Sequence, residues 1–367
     1  MGELRPSWIE VDLDAVRHNV AEIARIAAPA RVCAVVKADG YGHGDVPVAE
    51  AALAAGAEWL AVALVAEGAR LREAGLDGRV LLLSEPQLGD AAEVVRWDLT
   101  PTVYGPPFLE ALEREAPAGY PVHVKVDTGM HRVGASIEEA RDLAAAVVHG
   151  PLRLEAVWTH FPVSEEDDQF TAEQTRTLSE FVAELRAAGI DPEMVHAANT
   201  AAALTQPAAR FDLVRPGIGI YGLRPAPNYA PEADLRPAMR VVSHVSFTRS
   251  HPAGTRPSYG RTRPMPAAGT VATVPIGYAD GVPRRLREAG GSVLINGVRR
   301  PFAGNVTMDQ VLVDVGSDPV AVGDEVVLLG RQGDEEITAD EWAERVGTIN
   351  WEIVCGFGPR LPRRYVG

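Results

Sequence analysis

The stretch Cys33–Gly44 reads CAVVKADGYGHG, and it joins a short apolar run directly to a lysine and a glycine-rich turn. The apolar run has the length of a buried strand, which Lys37 ends. Three glycines follow within seven positions and allow the backbone to approach a ligand closely. The turn matches neither a Walker loop nor a dinucleotide-binding fingerprint, so alone it is weak evidence for phosphate binding.

Apolar runs of strand length recur along the first two-thirds of the chain. Eight are predicted to be strands: Cys33–Lys37, Trp59–Leu64, Arg79–Ser84, Leu99–Tyr104, Val122–Asp127, Leu154–His160, Met194–Asn199 and Leu213–Tyr221. The segments between them have the apolar spacing of helices, as at Val46–Ala55, Val65–Ala74, Ile137–Val148 and Thr171–Ala188. Eight strand–helix units predict an α/β fold with an N-terminal (β/α)8 barrel over residues 12–236.

The pattern changes after Arg236, where long helical stretches give way to short alternating runs separated by Gly and Pro. The predicted strands are Arg240–Thr248, Thr270–Ile276, Ser292–Ile295, Gln310–Val315 and Glu325–Leu329. Thr338 and Glu341 have capping-box spacing and predict one short helix. The region therefore reads as a mostly antiparallel β domain of residues 237–367, which residues 1–11 join through an alternating strand.

Composition excludes several classes of protein. The 367 residues carry a formal net charge of -15, which argues against a nucleic-acid partner. The two cysteines, Cys33 and Cys355, form no disulfide or metal pattern, and we expect no metal site. No run reaches the ~18 apolar residues of a membrane span, and the chain start lacks a signal-peptide pattern. We therefore predict a cytoplasmic protein without a membrane partner.

Lys37 is the first candidate for chemistry. In a barrel of this kind, a polar residue at the C-terminal end of a strand lies at the active face. Burial lowers the pKa of a lysine, and a neutral amine can attack a carbonyl to form a Schiff base. The plain alternative is a lysine that extends its charged end into water.

Further motifs follow this stretch in a fixed order. They read VKVDTGMHRVG (124–134), WTHF (158–161), HAANT (196–200), RPGI (215–218), SYG (258–260), IGYADG (276–281), TMDQ (307–310) and PRLPRRY (359–365). Together with AVVKADGYGHG, the series resembles the alanine racemases, a family of fold type III that depends on pyridoxal 5'-phosphate (PLP). The resemblance covers nearly the whole chain.

The resemblance implies an isomerase that interconverts L-alanine and D-alanine and supplies D-alanine for peptidoglycan. Racemisation in place needs one proton carrier on each face of the α-carbon. The family match assigns these roles to Lys37, which also holds PLP through an imine, and to Tyr259. Met308 and Tyr278 would line the substrate pocket. The β-domain residues would reach the barrel of a second subunit, in a homodimer with shared active sites.

The resemblance also implies the residues that contact the cofactor. They are Lys37, Tyr41, His160, Asn199, Thr200, Arg215, Gly217, Ile218 and Tyr365. Arg215 would lie beside the pyridine nitrogen and, with His160, favour the phenolate of Tyr259. Tyr41, Thr200, Tyr365 and backbone amides near Gly217 and Ile218 would bind the phosphate. Arg132 would contact the cofactor's phenolic oxygen and the substrate carboxylate. Lys125 is either carbamylated and paired with Arg132 or an ordinary lysine.

Two departures from the family pattern leave the substrate open. Asp39-Gly40 replaces the usual Asn-Ala, and Asn305-Val306-Thr307 precedes Met308 where an arginine and a cysteine or serine are typical. A racemase for serine or another small amino acid, in secondary metabolism, is the alternative. A PLP-binding protein without activity would not need Tyr259, and a related decarboxylase would need acidic groups for a basic substrate. An aldolase without cofactor would leave the phosphate-side tyrosines unexplained.

Overall fold

The computed structural model describes residues 5–367, and the chain divides into two compact units. The barrel unit comprises Asp14–Gly40 and Asp45–Arg236. The β unit comprises the chain before Asp14, the short segment Tyr41–Gly44, and Pro237–Gly367. The first strand, β1 (Ser7–Asp12), belongs to the β unit.

Eight parallel strands form the sheet of the barrel unit. They are β2 (Arg31–Val35), β3 (Trp59–Val62), β4 (Arg79–Leu82), β5 (Thr102–Val103), β6 (Pro121–Lys125), β7 (Arg153–Trp158), β8 (Met194–His196) and β9 (Leu213–Val214). Their order is β4-β3-β2-β9-β8-β7-β6-β5. A parallel bridge between Leu81 and Thr100 joins the two ends of this order and closes the ring. The predicted (β/α)8 barrel is therefore confirmed.

Eight helices accompany the strands of the barrel unit. They are α1 (Leu13–Ala27), α2 (Asp45–Ala54), α3 (Val65–Glu73), α4 (Ala91–Arg96), α5 (Pro106–Glu115), α6 (Ile137–His149), α7 (Asp168–Ala187) and α8 (Thr200–Thr205). In α6 the buried residues are Ala140, Leu143, Ala144 and Val147, which share one side of the helix. Ser136 and Glu139 cap its start with reciprocal hydrogen bonds of 3.3 and 2.9 Å. Among the described residues, no helix has the length and apolarity required to cross a bilayer.

All eight predicted barrel strands extend past their observed ends, and for two of them the difference bears on the site. β2 ends at Val35, so Lys37 begins the following turn and does not end the strand. β9 contains only Leu213 and Val214, and Ile218–Tyr221 forms a 3-10 turn. Pro216 explains the early end of β9, because proline has no N–H for strand pairing.

The β unit contains two sheets. Its further strands are β10 (Met239–His244), β11 (Phe247–His251), β12 (Gly269–Val274), β13 (Ser292–Ile295), β14 (Val298–Pro301), β15 (Val311–Gly316), β16 (Glu325–Gln332), β17 (Glu335–Ile337) and β18 (Arg363–Val366). One sheet has the order β14-β13-β16-β10-β1-β18, with β17 paired to β16, and the other has the order β11-β12-β15. Among the described strands of this unit, only β1 and β18 pair in parallel, so the predicted antiparallel character is confirmed.

One strand prediction in the β unit is wrong. The run Arg240–Thr248 is not continuous but divides into β10 and β11, which lie in different sheets. Between them the N–H of Val245 donates to Asp324 and that of Ser246 to Thr273, so the chain changes partner at this point. The unit also contains α9 (Ala339–Val346) and α10 (Asn350–Cys355). As predicted, Thr338 caps α9 by accepting a hydrogen bond from the N–H of Glu341 at 3.0 Å.

Candidate active site

Lys37 begins a left-handed turn at the C-terminal end of β2. Ala38, Asp39 and Gly40 have φ angles of 54°, 55° and 59°, and Tyr41 follows with 52°. The N–H of Gly40 closes the turn on the carbonyl of Val36 at 3.0 Å. This conformation costs a non-glycine residue roughly 1–2 kcal/mol, so surrounding contacts must hold it.

Glu67 of α3 supplies one such contact. Its Oε1 accepts a hydrogen bond from the N–H of Ala38 at 2.7 Å. Its Oε2 accepts from the N–H groups of Ala63 and Leu64, at 2.8 and 3.1 Å, just beyond β3. One carboxylate therefore fixes the backbone beside Lys37 to the end of the neighbouring strand.

Four cationic side chains lie close enough to His160 to affect it. Burial lowers the pKa of His160 well below its usual value, and the charges of Arg215, Lys125, Arg132 and Lys37 lower it further. Neutral His160 can therefore accept a hydrogen bond through one ring nitrogen. This group of positive charges at the C-terminal ends of barrel strands suits an anionic ligand.

Lys125 is the last residue of β6 and is 3% exposed. Its Nζ lies 4.5 Å from the centroid of the Trp158 ring. Burial, followed by the charges of Arg215 and Arg132, lowers its pKa to about 7. Arg132 itself is exposed, in the loop after β6.

Arg215 follows β9 and is 3% exposed. Its Nη1 donates to Nδ1 of His196 at 2.6 Å, and its Nη2 donates to the carbonyls of Thr159 and Ala197, both at 2.8 Å. Nη2 also lies 3.3 Å from Nδ1 of His160. Burial lowers the pKa of Arg215 to about 9. Within residues 5–367 the hydrogen-bond partners of its guanidinium group are carbonyls and imidazoles, so no carboxylate neutralises its charge directly.

Thr200, the first residue of α8, joins the start of this helix to the segment that follows β9. Its Oγ1 accepts hydrogen bonds from the N–H groups of Gly217 and Gly219, at 3.0 and 3.3 Å. Because both bonds use its lone pairs, the hydroxyl proton is left to donate elsewhere. A Cβ at Gly219 would lie 2.7 Å from the Thr200 methyl, so the approach requires glycine. Asn199 caps α8 through the N–H of Ala202 at 3.1 Å.

Ile218 lies at the open start of the 3-10 turn Ile218–Tyr221, where backbone N–H groups have no partner within the turn. With the Thr200 hydroxyl it forms a small donor-rich site. A phosphate group needs such donors, and the nearby amine of Lys37 and the cationic group around His160 suit an anionic aldehyde. The barrel residues present therefore fit PLP.

Tyr41 and Tyr365 belong to the β unit. Tyr41 is buried, which raises the pKa of its phenol. Tyr365, on β18, packs against Gly44, where an added Cβ would lie only 2.0 Å from the tyrosine Oη. The glycine-rich stretch after Lys37 is thus required for this packing.

Tyr259, Tyr278 and Met308 line one open cleft of about 670 Å³ in the β unit. They are 77%, 41% and 52% exposed, which is unusual for large apolar side chains. Asn305, one of the departures from the family pattern, lies in the same cleft. The Nδ2 of Asn305 donates to the backbone carbonyl of Tyr259 at 3.0 Å. The backbone carbonyl of Asn305 accepts a hydrogen bond from Oγ of Ser258 at 2.8 Å.

The turn that carries Tyr278 is fixed from below by a buried carboxylate. Asp280 accepts hydrogen bonds from the N–H of Gly277 at 2.8 Å and from both terminal nitrogens of Arg5 at 2.6 Å. The N–H of Tyr278 donates to the carbonyl of Thr307 at 2.9 Å, beside Met308. These bonds set the positions of Tyr278 and Met308 relative to each other.

The structure brings the predicted residues together in two groups, one in each unit. The barrel group contains Lys37, Lys125, Arg132, His160, Asn199, Thr200, Arg215, Gly217 and Ile218. The β-unit cleft contains Tyr259, Tyr278 and Met308, and Tyr41 and Tyr365 lie elsewhere in that unit. Sequence reasoning missed Glu67, His123 and Glu155. Of these three, only His123 could have been found from the sequence, because it lies two residues before Lys125 and so points to the same side of β6.

Two family models together match most of the chain. The family "Alanine racemase, N-terminal domain" matches residues 11–225, and "Alanine racemase, C-terminal domain" matches residues 238–365. An alanine racemase of Symbiobacterium thermophilum is 45% identical over 99% of this chain and 98% of its own length. One of Nostoc sp. is 40% identical over 97% of this chain and 95% of its own length.

Solved structures are similar over the full chain. The alanine racemase of a D-cycloserine-producing Streptomyces lavendulae has a TM-score of 0.93 at 37% identity, covering 100% of this chain and 98% of its own. That of E. faecalis has the same score and identity and covers 100% of both chains. The chain therefore belongs to the alanine racemase family.

Proposed function

We propose that this chain interconverts L-alanine and D-alanine with PLP as cofactor. The observation that carries the proposal is the group of basic side chains around His160, at the C-terminal ends of barrel strands: Arg215, whose Nη2 lies 3.3 Å from Nδ1 of His160, with Lys37, Lys125 and Arg132. An amino-acid substrate and PLP both bring negative charge to such a site. When bound, PLP supplies an electron sink that acidifies the α-hydrogen of the amino acid.

Lys37 would hold the cofactor covalently and move a proton on one face of the α-carbon. The left-handed turn and the Glu67 carboxylate fix the backbone from which its side chain starts. The Thr200 hydroxyl and the N–H of Ile218 would hold the phosphate, and Gly217 would position Thr200 through the N–H that it donates to Oγ1. Asn199 would orient the start of α8. Arg215 would lie beside the ring nitrogen, which it would not readily protonate because a guanidinium with a pKa of about 9 still keeps its proton near neutral pH. The assignment of Tyr41 and Tyr365 to the phosphate stays a prediction.

Tyr259 would move the proton on the opposite face. Its phenol is exposed in the β-unit cleft together with Tyr278 and Met308, so these side chains are available to another surface. We propose that this surface is the barrel unit of a second copy, in a homodimer with shared sites. Tyr278 and Met308 would then restrict the substrate to a small side chain.

Lys125 and Arg132 would bind at the carboxylate side of the substrate. A lysine with a pKa of about 7 is largely neutral at pH 8, and a neutral amine can take up CO2. We propose that Lys125 is carbamylated, because the resulting anion would pair with Arg132 and relieve the excess of positive charge.

Chiral analysis of the purified protein, loaded with PLP and incubated separately with L-alanine, D-alanine and L-serine, tests the proposal. We expect both alanine enantiomers to reach a 1:1 mixture, with L-serine converted far more slowly. A matched Lys37→Ala variant should form no detectable second enantiomer. Faster conversion of serine than alanine would keep the mechanism and overturn the substrate. Racemisation by Lys37→Ala would overturn the proposal.

A further inference from the structure

A chain of four buried polar side chains runs through the barrel unit from Arg215 to Glu155. Arg215 Nη1 donates to Nδ1 of His196 at 2.6 Å. Nε2 of His196 lies 3.1 Å from Nδ1 of His123, and Nε2 of His123 lies 3.0 Å from Oε2 of Glu155. Both histidines are fully buried, and Glu155 is 1% exposed.

The two ends of the chain determine the direction of every hydrogen bond in it. A guanidinium group can only donate, and a carboxylate can only accept. His196 must therefore accept at Nδ1 and donate from Nε2, and His123 must do the same. Both imidazoles are thus neutral and carry their proton on Nε2. In agreement, burial lowers the pKa of His123 and, more strongly, that of His196.

The chain links the two ends of the barrel strands. Arg215 follows the C-terminal end of β9, on the side where active sites lie. At the opposite end, Glu155 Oε1 accepts from Arg79, the first residue of β4, at 2.5 Å, and from Arg153, the first residue of β7, at 3.2 Å. Residues at the N-terminal ends of barrel strands ordinarily contribute to stability and not to catalysis.

Aromatic rings enclose the two histidines. Trp158 stacks on His196 with the ring centroids 5.3 Å apart. Trp59 lies at the same distance from His123, and the guanidinium carbon of Arg79 lies 4.1 Å from the centroid of the Trp59 ring. These rings leave the imidazoles few other hydrogen-bond partners. A hydrogen bond lost between two of the four side chains therefore has to be replaced by another one among them.

We propose that Glu155 is a positioning residue for Arg215, acting through the fixed proton order of His123 and His196. Without a carboxylate at the far end, His123 can carry its proton on Nδ1 and donate to His196 instead. His196 would then carry its proton on Nδ1, facing the N–H of Arg215. Donor would meet donor, and Arg215 would lose the acceptor that holds Nη1.

The chain is an orienting device and not a route for protons. A proton relay requires that each member both gives up and takes a proton, and the guanidinium of Arg215 does not readily give up its own. The inference therefore predicts a static proton order. Its link to catalysis rests on the proposed function, in which Arg215 faces the ring nitrogen of PLP.

The proton order can be measured without cofactor, by nitrogen NMR of the protein labelled at its histidines. We expect His123 and His196 to show the neutral, Nε2-protonated form throughout about pH 5.5–8.5. Glu155→Gln keeps an acceptor oxygen and should retain this order. Glu155→Leu removes the acceptor and should shift one or both histidines toward the Nδ1-protonated form. Glu193→Gln is the matched control, since Glu193 pairs with Arg153 at 2.5 Å but does not touch the chain.

A second readout connects the chain to the cofactor. If Arg215 lost its orientation, the ring nitrogen would be protonated more readily, which would favour transamination as a side reaction. The cofactor would then keep the alanine amino group, and water would supply the carbonyl oxygen of the one pyruvate released. We expect Glu155→Leu to lower kcat roughly tenfold and raise pyruvate release per turnover, with Glu193→Gln unchanged.

Two results would overturn the inference. One is a His196 that is charged or carries its proton on Nδ1 in the unmodified protein. This measurement does not depend on the folding of any variant. The other is an unchanged proton order in a folded Glu155→Leu protein. Failure of the proposed function alone would look different, because the NMR result would hold while alanine was not racemised.

Discussion

The carboxylate of Glu67 accepts a hydrogen bond from the N–H of Ala38 at 2.7 Å, across 29 residues of sequence. Ala38 has a φ angle of 54°, a conformation that costs alanine roughly 1–2 kcal/mol. The bond therefore holds a strained residue directly beside Lys37. It ties the geometry of the proposed reactive amine to a helix that sequence reasoning did not connect with it.

Loss of Glu67 should weaken attachment of the cofactor to Lys37. We expect Glu67→Ala to lower the free energy of unfolding by about 1–3 kcal/mol and to reduce the borohydride-fixed PLP fraction. Ala38→Gly should restore part of the fixed fraction, since glycine adopts the left-handed conformation without strain. Glu73→Ala, at an exposed position of α3, is the control. If Ala38→Gly restores nothing, Glu67 acts only by capping α3.

A pH titration should distinguish the side chain of Lys125 from that of Lys37. Its pKa is lowered to about 7, whereas an unfolded lysine titrates near 10.4. Between these values the unfolded chain binds the extra proton, so the contribution of Lys125 to stability rises with pH across this interval. Burial of the Lys125 side chain therefore destabilises the folded state by its full amount below pH ~7, and this effect is lost near pH ~10.4.

Carbon NMR of the lysine Cε atoms can measure this directly, because the chain has only two lysines, Lys37 and Lys125. In CO2-free buffer we expect one signal to titrate near neutral pH and to vanish in Lys125→Met. Added labelled bicarbonate should give a carbamate signal that the variant lacks. Two signals that both titrate above about pH 9.5 would contradict the predicted shift.

Tyr259→Phe should separate the two faces of the substrate. Removing one positioned proton carrier lowers a rate by about 10²–10⁴-fold. Loss of deuterium from α-deuterated L-alanine should fall by this amount, while abstraction from D-alanine by Lys37 is affected less directly. Tyr104→Phe, a tyrosine outside the proposed site, is the control. Unimpaired abstraction from L-alanine would remove Tyr259 from the mechanism.

Gly44 and Gly56 offer a matched pair for the packing of Tyr365. Their φ angles are +96° and +99°, but an added Cβ meets Tyr365 Oη at 2.0 Å at Gly44 and nothing within 4 Å at Gly56. Gly56→Ala should cost about 1 kcal/mol of unfolding free energy, through backbone strain alone. Gly44→Ala should cost a further 1–3 kcal/mol or so, and Tyr365→Phe should recover part of it. Equal costs for both alanines, measured by denaturant unfolding, would show that the Tyr365 contact does not matter.

The sequence predicted the eight barrel strands because each contains a short stretch rich in apolar residues between helical segments, but it placed their ends too late. The chain leaves β2 through a turn with left-handed dihedrals at Ala38 and Asp39, a conformation that alanine disfavours and that its sequence does not signal. The partnership of Glu67 with Ala38 joins two elements in space and has no periodic signal. His196 stood within a recognised motif, yet its role depends on His123 and Glu155, which only the closed barrel brings together.

The most direct test of the account is to find which residue binds PLP covalently. The loaded protein is reduced with borohydride, digested and analysed by mass spectrometry, and the two lysines make the assignment unambiguous. The account predicts the cofactor mass on the peptide containing Lys37, none on that containing Lys125, and none in Lys37→Ala. Cofactor on the Lys125 peptide of the unmodified protein, or retained covalently by Lys37→Ala, would contradict it.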